Sequence, residues 1–201
     1  PFLQLLSRQN PGASQQELTP GDSLRLWDGD IELLTARELK RRHPEFPVFA
    51  LVQTPEARIA SCYERLIQGD LPLPAFFTEN RFYKDMPINA FLDRIGGIPD
   101  LMADNRIRSQ ASILCYKQQL VPDLTIDVDR IGEGWHKLRA LVKKQSGLDF
   151  GAVPVKAGFP NTATVSAVRK SAAFGEIIKK YRRDYSLFYP GSGRDSVSTT
   201  P

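Results

Sequence analysis

A run of five apolar residues, Val48 to Val52, constrains the fold of this chain more than any other feature. Because apolar and polar positions do not alternate along the run, a strand formed by it would be buried on both faces. Such strands lie in parallel sheets that helices cover. Gln53-Thr54-Pro55 then turns the chain, and an amphipathic stripe over 56–68 predicts a helix. The succession of strand, tight turn and helix favours an α/β fold.

The remaining pattern predicts further helices and one more strand. Thr35-Ala-Arg-Glu38 has the spacing of a capping box, which predicts a short helix as far as Arg42. A second strand is expected over 124–128. Ser146-Gly147 predicts a glycine cap at the end of the helix that follows this strand. The amphipathic helices are predicted over 88–95, 107–118, 135–145 and 165–185.

Composition narrows the class of protein. Of the 201 residues, 41% are apolar and 25% are charged, which excludes a disordered or collagen-like chain. A chain of this length can bury a sufficient core, so we expect a single domain over 1–190 and a disordered tail over 191–201. The sequence has two cysteines, Cys62 and Cys115, which are too few for a disulfide scaffold or a four-cysteine zinc site. It also has only two histidines, His43 and His136, which makes a histidine-rich metal centre unexpected.

Charge and the lack of targeting signals bear on the expected partners and location. Lys and Arg number 27 against 23 Asp and Glu, and the net charge of +4 suits an anionic ligand but is too small to indicate nucleic acid. No apolar run approaches the roughly 18–20 residues that span a bilayer. With neither a charged-then-apolar leader nor an Asn-x-Ser/Thr site, we expect a cytoplasmic protein, or a Golgi-lumenal one in a eukaryote.

A candidate anion site follows the apolar run. Ligands of open parallel sheets bind beyond the carboxyl ends of the strands, where helix N-termini present unpaired N–H groups. Arg58 and Ser61 are three residues apart and therefore share one face of the predicted helix. A guanidinium and a hydroxyl together can clamp a phosphate. From spacing alone the alternative stays open that Arg58 is an exposed surface residue and that Ser61 packs on the sheet.

The segment from Val48 to Tyr63 resembles the phosphate-binding strand and helix of the sulfotransferase family, especially its carbohydrate sulfotransferase branch. In that family an apolar strand precedes Arg-x-Pro-x-x-Arg-x-x-Ser-x-Tyr. The resemblance implies that Arg58 and Ser61 hold or frame the 3′-phosphate of the sulfuryl donor PAPS, and that Gln53 weakly replaces the family's first arginine. The positions that match in register are Pro55, Arg58, Ser61 and Tyr63.

Four further segments are similar to family segments and occur in the same order along the chain. Residues 104–110 resemble Asn-His-x-Arg-Pro-Gln, with Arg106 in the place of the histidine. Residues 126–138 are similar to a strand and helix in which Gly132 replaces a glutamate. The third segment is the loop over 159–162, which resembles a family loop. The fourth is the closing segment over 181–188, which matches the family's Tyr-x-x-Asp-Tyr-x-Leu-Phe. The resemblance covers about residues 28–189.

The resemblance implies a P-loop NTPase-like three-layer fold, with a central, mostly parallel sheet flanked by helices. The family's donor loop, Pro-Lys-x-x-x-(Ser/Thr), does not occur in this sequence. Because the chain begins at Pro1 and its first six residues resemble the end of the helix after that loop, we expect the first strand and the loop to lie upstream, or to have been lost.

The resemblance also suggests further site residues. Arg169 and Lys170, near the start of the predicted last helix, resemble an Arg-Lys-Gly with which cytosolic relatives hold the same 3′-phosphate; a solvated basic face is the alternative. Asp28 and Asp30 stand where a uronic-acid-specific branch has His-Gly-His, which makes either one the candidate catalytic base; the alternative is an Asp-Gly turn. Four polar residues are suggested to contact the acceptor sugar; the alternative is that they form only an exposed first helical turn. They are Asn105, Arg106, Arg108 and Gln110.

The implied activity is transfer of a sulfuryl group from PAPS to a hydroxyl of a carbohydrate or related small acceptor. Adenosine 3′,5′-bisphosphate would be the product, and no metal is expected. A second hypothesis is a catalytically degenerate module of the same fold that binds a nucleotide or an acidic polysaccharide. Gln53, Arg106, Gly132 and the missing donor loop favour this second hypothesis.

Overall fold

The computed structural model of the protein describes residues 34–147 and 160–191. The candidate catalytic residues Asp28 and Asp30 lie outside them, as do Phe159 and the sequence over 192–201.

The described ranges form an α/β structure that contains more helix than strand. Its irregular helical turns are a π-helical segment, Tyr63–Gln68, and two 3₁₀ turns, Asp100–Met102 and Val128–Arg130. The helices are α1 (Ala36–Arg42), α2 (Pro55–Cys62), α3 (Ala75–Glu79), α4 (Ile88–Gly97), α5 (Gln110–Leu114), α6 (Ile131–Ser146), α7 (Thr162–Lys170), α8 (Phe174–Lys180) and α9 (Arg182–Phe188).

The strands of these ranges form two separate pairs. β1 and β4 pair in parallel, with Val52 opposite Asp127, and β2 and β3 form an antiparallel hairpin. The carboxyl ends of β1 and β4 therefore lie side by side, so that Gln53 leaves the same edge as the turn after Asp127. This parallel pair confirms the α/β character expected from the sequence. The strands are β1 (Phe49–Val52), β2 (Cys115–Tyr116), β3 (Gln119–Leu120) and β4 (Leu124–Asp127).

The expectation that β1 is buried on both faces is wrong at one position. Val52 is buried, whereas Leu51 is 46% exposed. Residues paired across a parallel ladder point to the same face, so Leu51 shares a face with its partner Ile126. Helix α6 packs on Ile126 through Trp135 and Leu138 but leaves Leu51 open.

The end signals predicted for two helices are confirmed. Thr35 N donates to Glu38 Oε2 at 2.9 Å and Glu38 N donates to Thr35 Oγ1 at 3.2 Å, which completes the capping box of α1. The hydrogen bonds from Thr35 lower the pKa of the Glu38 carboxyl. Helix α6 ends at Gly147, whose φ of 71° lies in the left-handed region that glycine favours.

The helix expected over 107–118 is wrong in extent. It is reduced to α5, and the sequence that follows forms the β2–β3 hairpin. Ser109 starts α5 as its N-cap by accepting a hydrogen bond from Ser112 N. Leu114 O accepts from Val121 N at 2.9 Å, a contact that the residue after the hairpin supplies at the end of the helix.

The helix expected over 165–185 is also wrong, because α7, α8 and α9 occupy this region. Ser171 is extended after α7, and its hydroxyl accepts from Ala173 N at 3.2 Å. Serine side chains stabilise such local turns in competition with the helix. As a result Arg169 and Lys170 end α7 and do not begin a long helix.

The apolar core divides into two clusters of unequal size. Among the helices, Phe91 is fully buried, and its ring meets those of Tyr63 and Phe82 edge to face with centroids 5.2 and 5.5 Å apart. The smaller cluster, between β4 and α6, contains Ile126, Trp135 and Leu138. Below, β1, β4 and α6 are called the sheet layer, and the helical body consists of α2, α3, α4, α7, α8 and α9.

Candidate functional site

The turn between β1 and α2 is the predicted phosphate site. It consists of Gln53 and Thr54, and Pro55 then occupies the first position of α2. Proline suits this position because its missing N–H would have no partner there in any helix. Thr54 is the N-cap, and its side chain makes no capping hydrogen bond within the described residues. Arg58 N donates to Thr54 O at 3.0 Å and closes the first turn of the helix.

The side-chain amide of Gln110 holds the backbone of Gln53 on both sides. Gln53 N donates to Gln110 Oε1 at 3.0 Å, and Gln110 Nε2 donates to Gln53 O at 2.7 Å. An amide that accepts and donates in this way takes the place of a neighbouring strand. Gln110 is buried, with 6% of its surface exposed. The structure thus brings Gln110 to the β1–α2 turn, whereas the sequence suggested a contact with the acceptor sugar.

Gln110 is itself held by a buried carboxylate. Asp184 Oδ2 accepts from Gln110 N at 2.9 Å and Oδ1 accepts from Ala111 N at 2.7 Å, so that Asp184 occupies the start of α5. Burial raises the pKa of Asp184, although the two backbone N–H groups and the charge of Arg58 act in the opposite direction. Helix α9 thereby positions the residue that holds the β1–α2 turn.

The guanidinium of Arg58 faces the segment over 104–108. Its NH1 group donates to Arg108 O and its NH2 group donates to Asn105 O. Spacing along the sequence did not predict these backbone contacts. Ser61 lies three residues further along α2 and is partly buried, and its hydroxyl forms no hydrogen bond with the described residues. A phosphate clamp made by Arg58 and Ser61 stays a prediction.

Arg169 reaches the first turn of α2 from the end of α7. Its Nε and NH2 groups donate to Glu56 Oε1 at 3.2 and 2.9 Å, and Tyr185 OH donates to Glu56 Oε2 at 2.7 Å. The Glu56 side chain is fully buried, whereas the Arg169 side chain is 49% exposed. The two charges lie at the helix ends that favour them, the anion at an N-terminus and the cation at a C-terminus. Of the two basic residues suggested for the phosphate, Arg169 therefore contacts the first helical turn of α2, which follows the β1–α2 turn. Lys170, the next residue, is exposed.

Helix α7 runs antiparallel to α2 and to the π-helical segment that continues it. Asn161 N donates to Glu64 Oε1 at 2.9 Å at one end of α7, and Arg169 bonds to Glu56 at the other. Asn161 is also the N-cap of α7, because its side chain accepts from Ala163 N at 2.8 Å. The contacts at its two ends set the position of α7, and therefore of Arg169, against α2.

The remaining residues suggested for the acceptor lie on the segment over 104–108. Asn105 and Arg106 are exposed, and Arg106 NH1 pairs with Asp104 Oδ2 at 3.1 Å. Arg108 is partly buried, and its NH2 group donates to Leu101 O at 3.0 Å. Arg106 and Asn105 thus present side chains to solvent, whereas Arg108 contributes to holding the segment.

Two further contacts hold the backbone of this region. Asp100 accepts from Ser109 N at 2.7 Å and from Ser109 Oγ at 2.6 Å, and Ser112 Oγ donates to it as well. Burial acts to raise the pKa of Asp100, but the hydrogen bonds from Ser109 and Ser112 prevail and lower it. Tyr181 OH donates to Ile107 O, and burial raises the pKa of this phenol, which therefore remains a donor at neutral pH.

Sequence reasoning missed three buried polar residues, Glu56, Asp184 and Tyr185. A signal for Asp184 and Tyr185 was present, because both belong to the closing Tyr-x-x-Asp-Tyr pattern. That pattern located the two residues but not their contacts. No signal indicated that Glu56 would be buried, since an acidic residue in the first turn of a helix is usual at the surface as well.

Other features of the described ranges bear on the chemistry available. Burial raises the pKa of Cys62 to about 12, which keeps its thiol protonated at neutral pH. Within 34–147 and 160–191, no three or more His, Cys, Asp or Glu side chains are grouped to hold a metal ion. No helix in this part of the chain has both the length and the apolar character to cross a bilayer.

Comparison with protein-family models, curated proteins and solved structures finds no significant match.

Proposed function

We propose that the protein is a PAPS-dependent sulfotransferase with a P-loop NTPase-like, three-layer fold. It would transfer a sulfuryl group from PAPS to a hydroxyl of a carbohydrate or related small acceptor. The β1–α2 turn is the proposed site of the donor's 3′-phosphate, and the exposed side chains of Asn105 and Arg106 lie on the proposed acceptor side.

The observation that supports this proposal most is the convergence of the family-like segments on one turn. The segments over 48–63, 104–110 and 181–188 contact one another through hydrogen bonds of Gln110 with Gln53 and with Asp184. The segment over 126–138 joins them because β4 pairs with β1, whereas the loop before α7 contacts Glu64, away from this turn. Four of the five family-like segments therefore meet around the turn at which the family binds phosphate, as the proposed function requires.

Cationic hydrogen-bond donors near the turn also suit a phosphate. Arg169 uses Nε and NH2 for Glu56, which leaves NH1 on a half-exposed side chain. The guanidinium of Arg58 supplies a second positive charge, and the N-terminus of α2 adds its partial positive charge. Carboxylates also lie near the turn: Glu56 pairs with Arg169, Asp184 lies near Arg58, and Asp127 ends β4 beside Val52. The suitability for a phosphate therefore rests on the NH1 group of Arg169 and on the N-terminus of α2, and not on a net positive charge.

In the proposed reaction, an oxygen of the acceptor hydroxyl forms a bond to the sulfur of the donor while the bond from sulfur to the phosphate oxygen breaks. Adenosine 3′,5′-bisphosphate leaves, and the proton of the hydroxyl goes to a base, for which Asp28 and Asp30 are the candidates. Arg58, Ser61, Arg169 and Gln53 would bind the 3′-phosphate, away from the reacting atoms. Their contribution is to hold and orient the donor.

One observation favours the second function, a degenerate module that binds a nucleotide or an acidic polysaccharide without transfer. Arg58 already donates to two backbone carbonyls, and Gln53 carries no charge. A 3′-phosphate would therefore receive weaker attraction here than at a turn with two free arginines.

Thermal denaturation of the full-length protein with two nucleotides tests the proposal. Adenosine 3′,5′-bisphosphate is expected to raise the melting temperature more than AMP, which lacks the 3′-phosphate. At a concentration 100 times Kd, the stabilisation is about 2.7 kcal/mol. Absence of any shift with adenosine 3′,5′-bisphosphate contradicts a donor site. Stabilisation without sulfated product in the presence of PAPS and a carbohydrate acceptor supports the binding module.

Two substitutions refine this test. Gln53→Arg restores the family's arginine and is expected to tighten binding of adenosine 3′,5′-bisphosphate. Ser61→Ala removes a hydrogen bond to a charged phosphate and is expected to weaken binding by roughly tenfold. Ser186→Ala is the matched control, because Ser186 is exposed on α9 and its hydroxyl donates to Arg183 O at 3.1 Å and to no other described residue. Equal affinities in all three variants would argue against a phosphate at this turn.

A further inference from the structure

We infer that Gln110 is a positioning residue of the proposed nucleotide site. It sets the backbone of Gln53, and with it the direction of the Gln53 side chain and the start of α2, without touching the nucleotide. The inference rests on the proposed function, since it explains how the β1–α2 turn is held ready for a 3′-phosphate.

The geometry of the turn carries this inference. Val52 is the last residue of β1 that pairs with β4, so Gln53 has lost the support of the sheet. The amide of Gln110 replaces that support with its two hydrogen bonds of 3.0 and 2.7 Å to Gln53 N and O. Because both polar groups of one residue are held, its backbone dihedral angles have little freedom. The Gln53 side chain therefore leaves the turn in one direction.

Gln110 is unable to adjust its own position without cost. Its N–H is bound to the fully buried Asp184 at 2.9 Å, and the preceding residue, Ser109, is bound to Asp100 at 2.7 Å. Movement of the Gln110 side chain would leave the N–H and the carbonyl of Gln53 without these partners in a partly buried turn. The pair of hydrogen bonds between the Gln110 amide and the Gln53 backbone thus has a single low-energy arrangement.

The same contacts connect the proposed nucleotide site with the proposed acceptor side. Gln110 is the last residue of the segment over 104–110, in which Asn105 and Arg106 lie on the proposed acceptor side. Arg58, from the nucleotide side, donates to the carbonyls of Asn105 and Arg108 in that segment. The turn and the segment are consequently held together by the amide of Gln110 and the guanidinium of Arg58. A change at Gln110 should alter recognition of the 3′-phosphate even though the side-chain amide of Gln110 is engaged with Gln53 and not with the nucleotide.

Isothermal titration of the full-length Gln110→Ala variant tests the inference. The substitution removes the amide but keeps the backbone N–H that Asp184 accepts, so the start of α5 is retained. The affinity for adenosine 3′,5′-bisphosphate is expected to fall by roughly tenfold, while the affinity for AMP stays as in the wild type. Gln119→Ala is the matched control, because Gln119 is an exposed glutamine in β3, and no change is expected.

The ratio of the two affinities separates positioning from a merely structural role. A structural role would lower the melting temperature and leave this ratio unchanged, which would overturn the inference and keep the proposed function. Failure of the wild type to bind adenosine 3′,5′-bisphosphate would overturn both. Should Gln110→Ala not fold, Gln110→Glu keeps the size and the acceptor for Gln53 N–H but sets a carboxylate against Gln53 O. A wild-type ratio in that variant equally contradicts the inference.

Discussion

The helical body and the sheet layer differ in how completely their apolar residues are buried. In the helical body Phe77, Phe91 and Ile95 have no exposed surface. In the sheet layer, three residues form the buried cluster, and Leu51 is 46% exposed on the face that α6 covers only in part. The β1–α2 turn follows the last paired residue of β1, and its backbone is held by Gln110 of α5 and not by β4. Because Asp184 of the helical body accepts from Gln110 N, the helical body contributes more than β4 does to the rigidity of the candidate site.

The largest effect that tests this contrast is expected from truncation of the aromatic core. Phe91→Ala removes a fully buried ring and its contacts with Tyr63 and Phe82, and should lower the free energy of unfolding by about 3–5 kcal/mol. Leu138→Ala in the sheet layer should cost about 2 kcal/mol, at the low end for such changes, because the small cluster can collapse. Urea unfolding measures both values. Equal losses would contradict the contrast between the regions.

The next largest effect is expected at the buried carboxylate of the helical body. Asp184→Ala leaves the N–H groups of Gln110 and Ala111 without their acceptor, and should cost about 2–4 kcal/mol in urea unfolding. Asp184→Asn is the matched variant, since it keeps one acceptor oxygen and also removes a charge that burial disfavours. It should cost less than Asp184→Ala. If the alanine variant lost no more stability than the asparagine variant, the two hydrogen bonds would contribute little.

Two glycines of α6 can be substituted to test how closely this helix packs on β4 in the sheet layer. A Cβ on Gly134 would lie 2.4 Å from a side-chain carbon of Ile126, whereas a Cβ on Gly132 would meet no atom of the described residues within 4 Å. Gly134→Ala should therefore destabilise by about 1–3 kcal/mol. Gly132→Ala should stabilise by about 0.5–1 kcal/mol, because alanine is the better helix former. Opposite signs in thermal unfolding are expected, and two stabilising substitutions would show that α6 packs loosely on β4.

The smallest effect concerns pH. The pKa of Asp100 is lowered in the folded protein, so its contribution to stability is present above its ordinary value near 3.8 and is lost as the pH falls through the lowered value. Asp100→Asn should cost about 1 kcal/mol at pH 7, where the ionised carboxylate accepts from Ser109 and Ser112. The difference from the wild type should shrink as the pH is lowered below 3.8. A difference that stays constant with pH would contradict this assignment.

The features predicted correctly from the sequence are those that neighbouring residues determine. The capping box at Thr35 and the glycine end of α6 each depend on a few adjacent positions. The extent of α5 could not be predicted in this way, because its start is held by Asp184, 74 residues further along the chain. The break at Ser171 is an exception, because it depends on a local hydrogen bond that competes with a pattern otherwise suited to a helix, and the pattern alone did not reveal it.

The candidate site follows the same rule. Spacing predicted that Arg58 and Ser61 share a helical face, but not that the guanidinium would meet carbonyls 47 and 50 residues away. Gln110 was expected among the polar residues of the site. Its contact with Gln53 spans 57 residues and depends on how α5 is placed. Sequence patterns indicate which residues are polar and near a turn, whereas packing decides the direction of each side chain.

The contacts at the two ends of α7 have a mechanical consequence. Asn161 and Arg169 are eight positions apart, as are their partners Glu64 and Glu56 on the antiparallel element. A displacement of α7 along its axis by one residue, about 1.5 Å, would strain both contacts together. The helix therefore has one register, and sliding in small steps is disfavoured. Any motion that withdraws the Arg169 guanidinium along this axis must also part Asn161 from Glu64 at the far end.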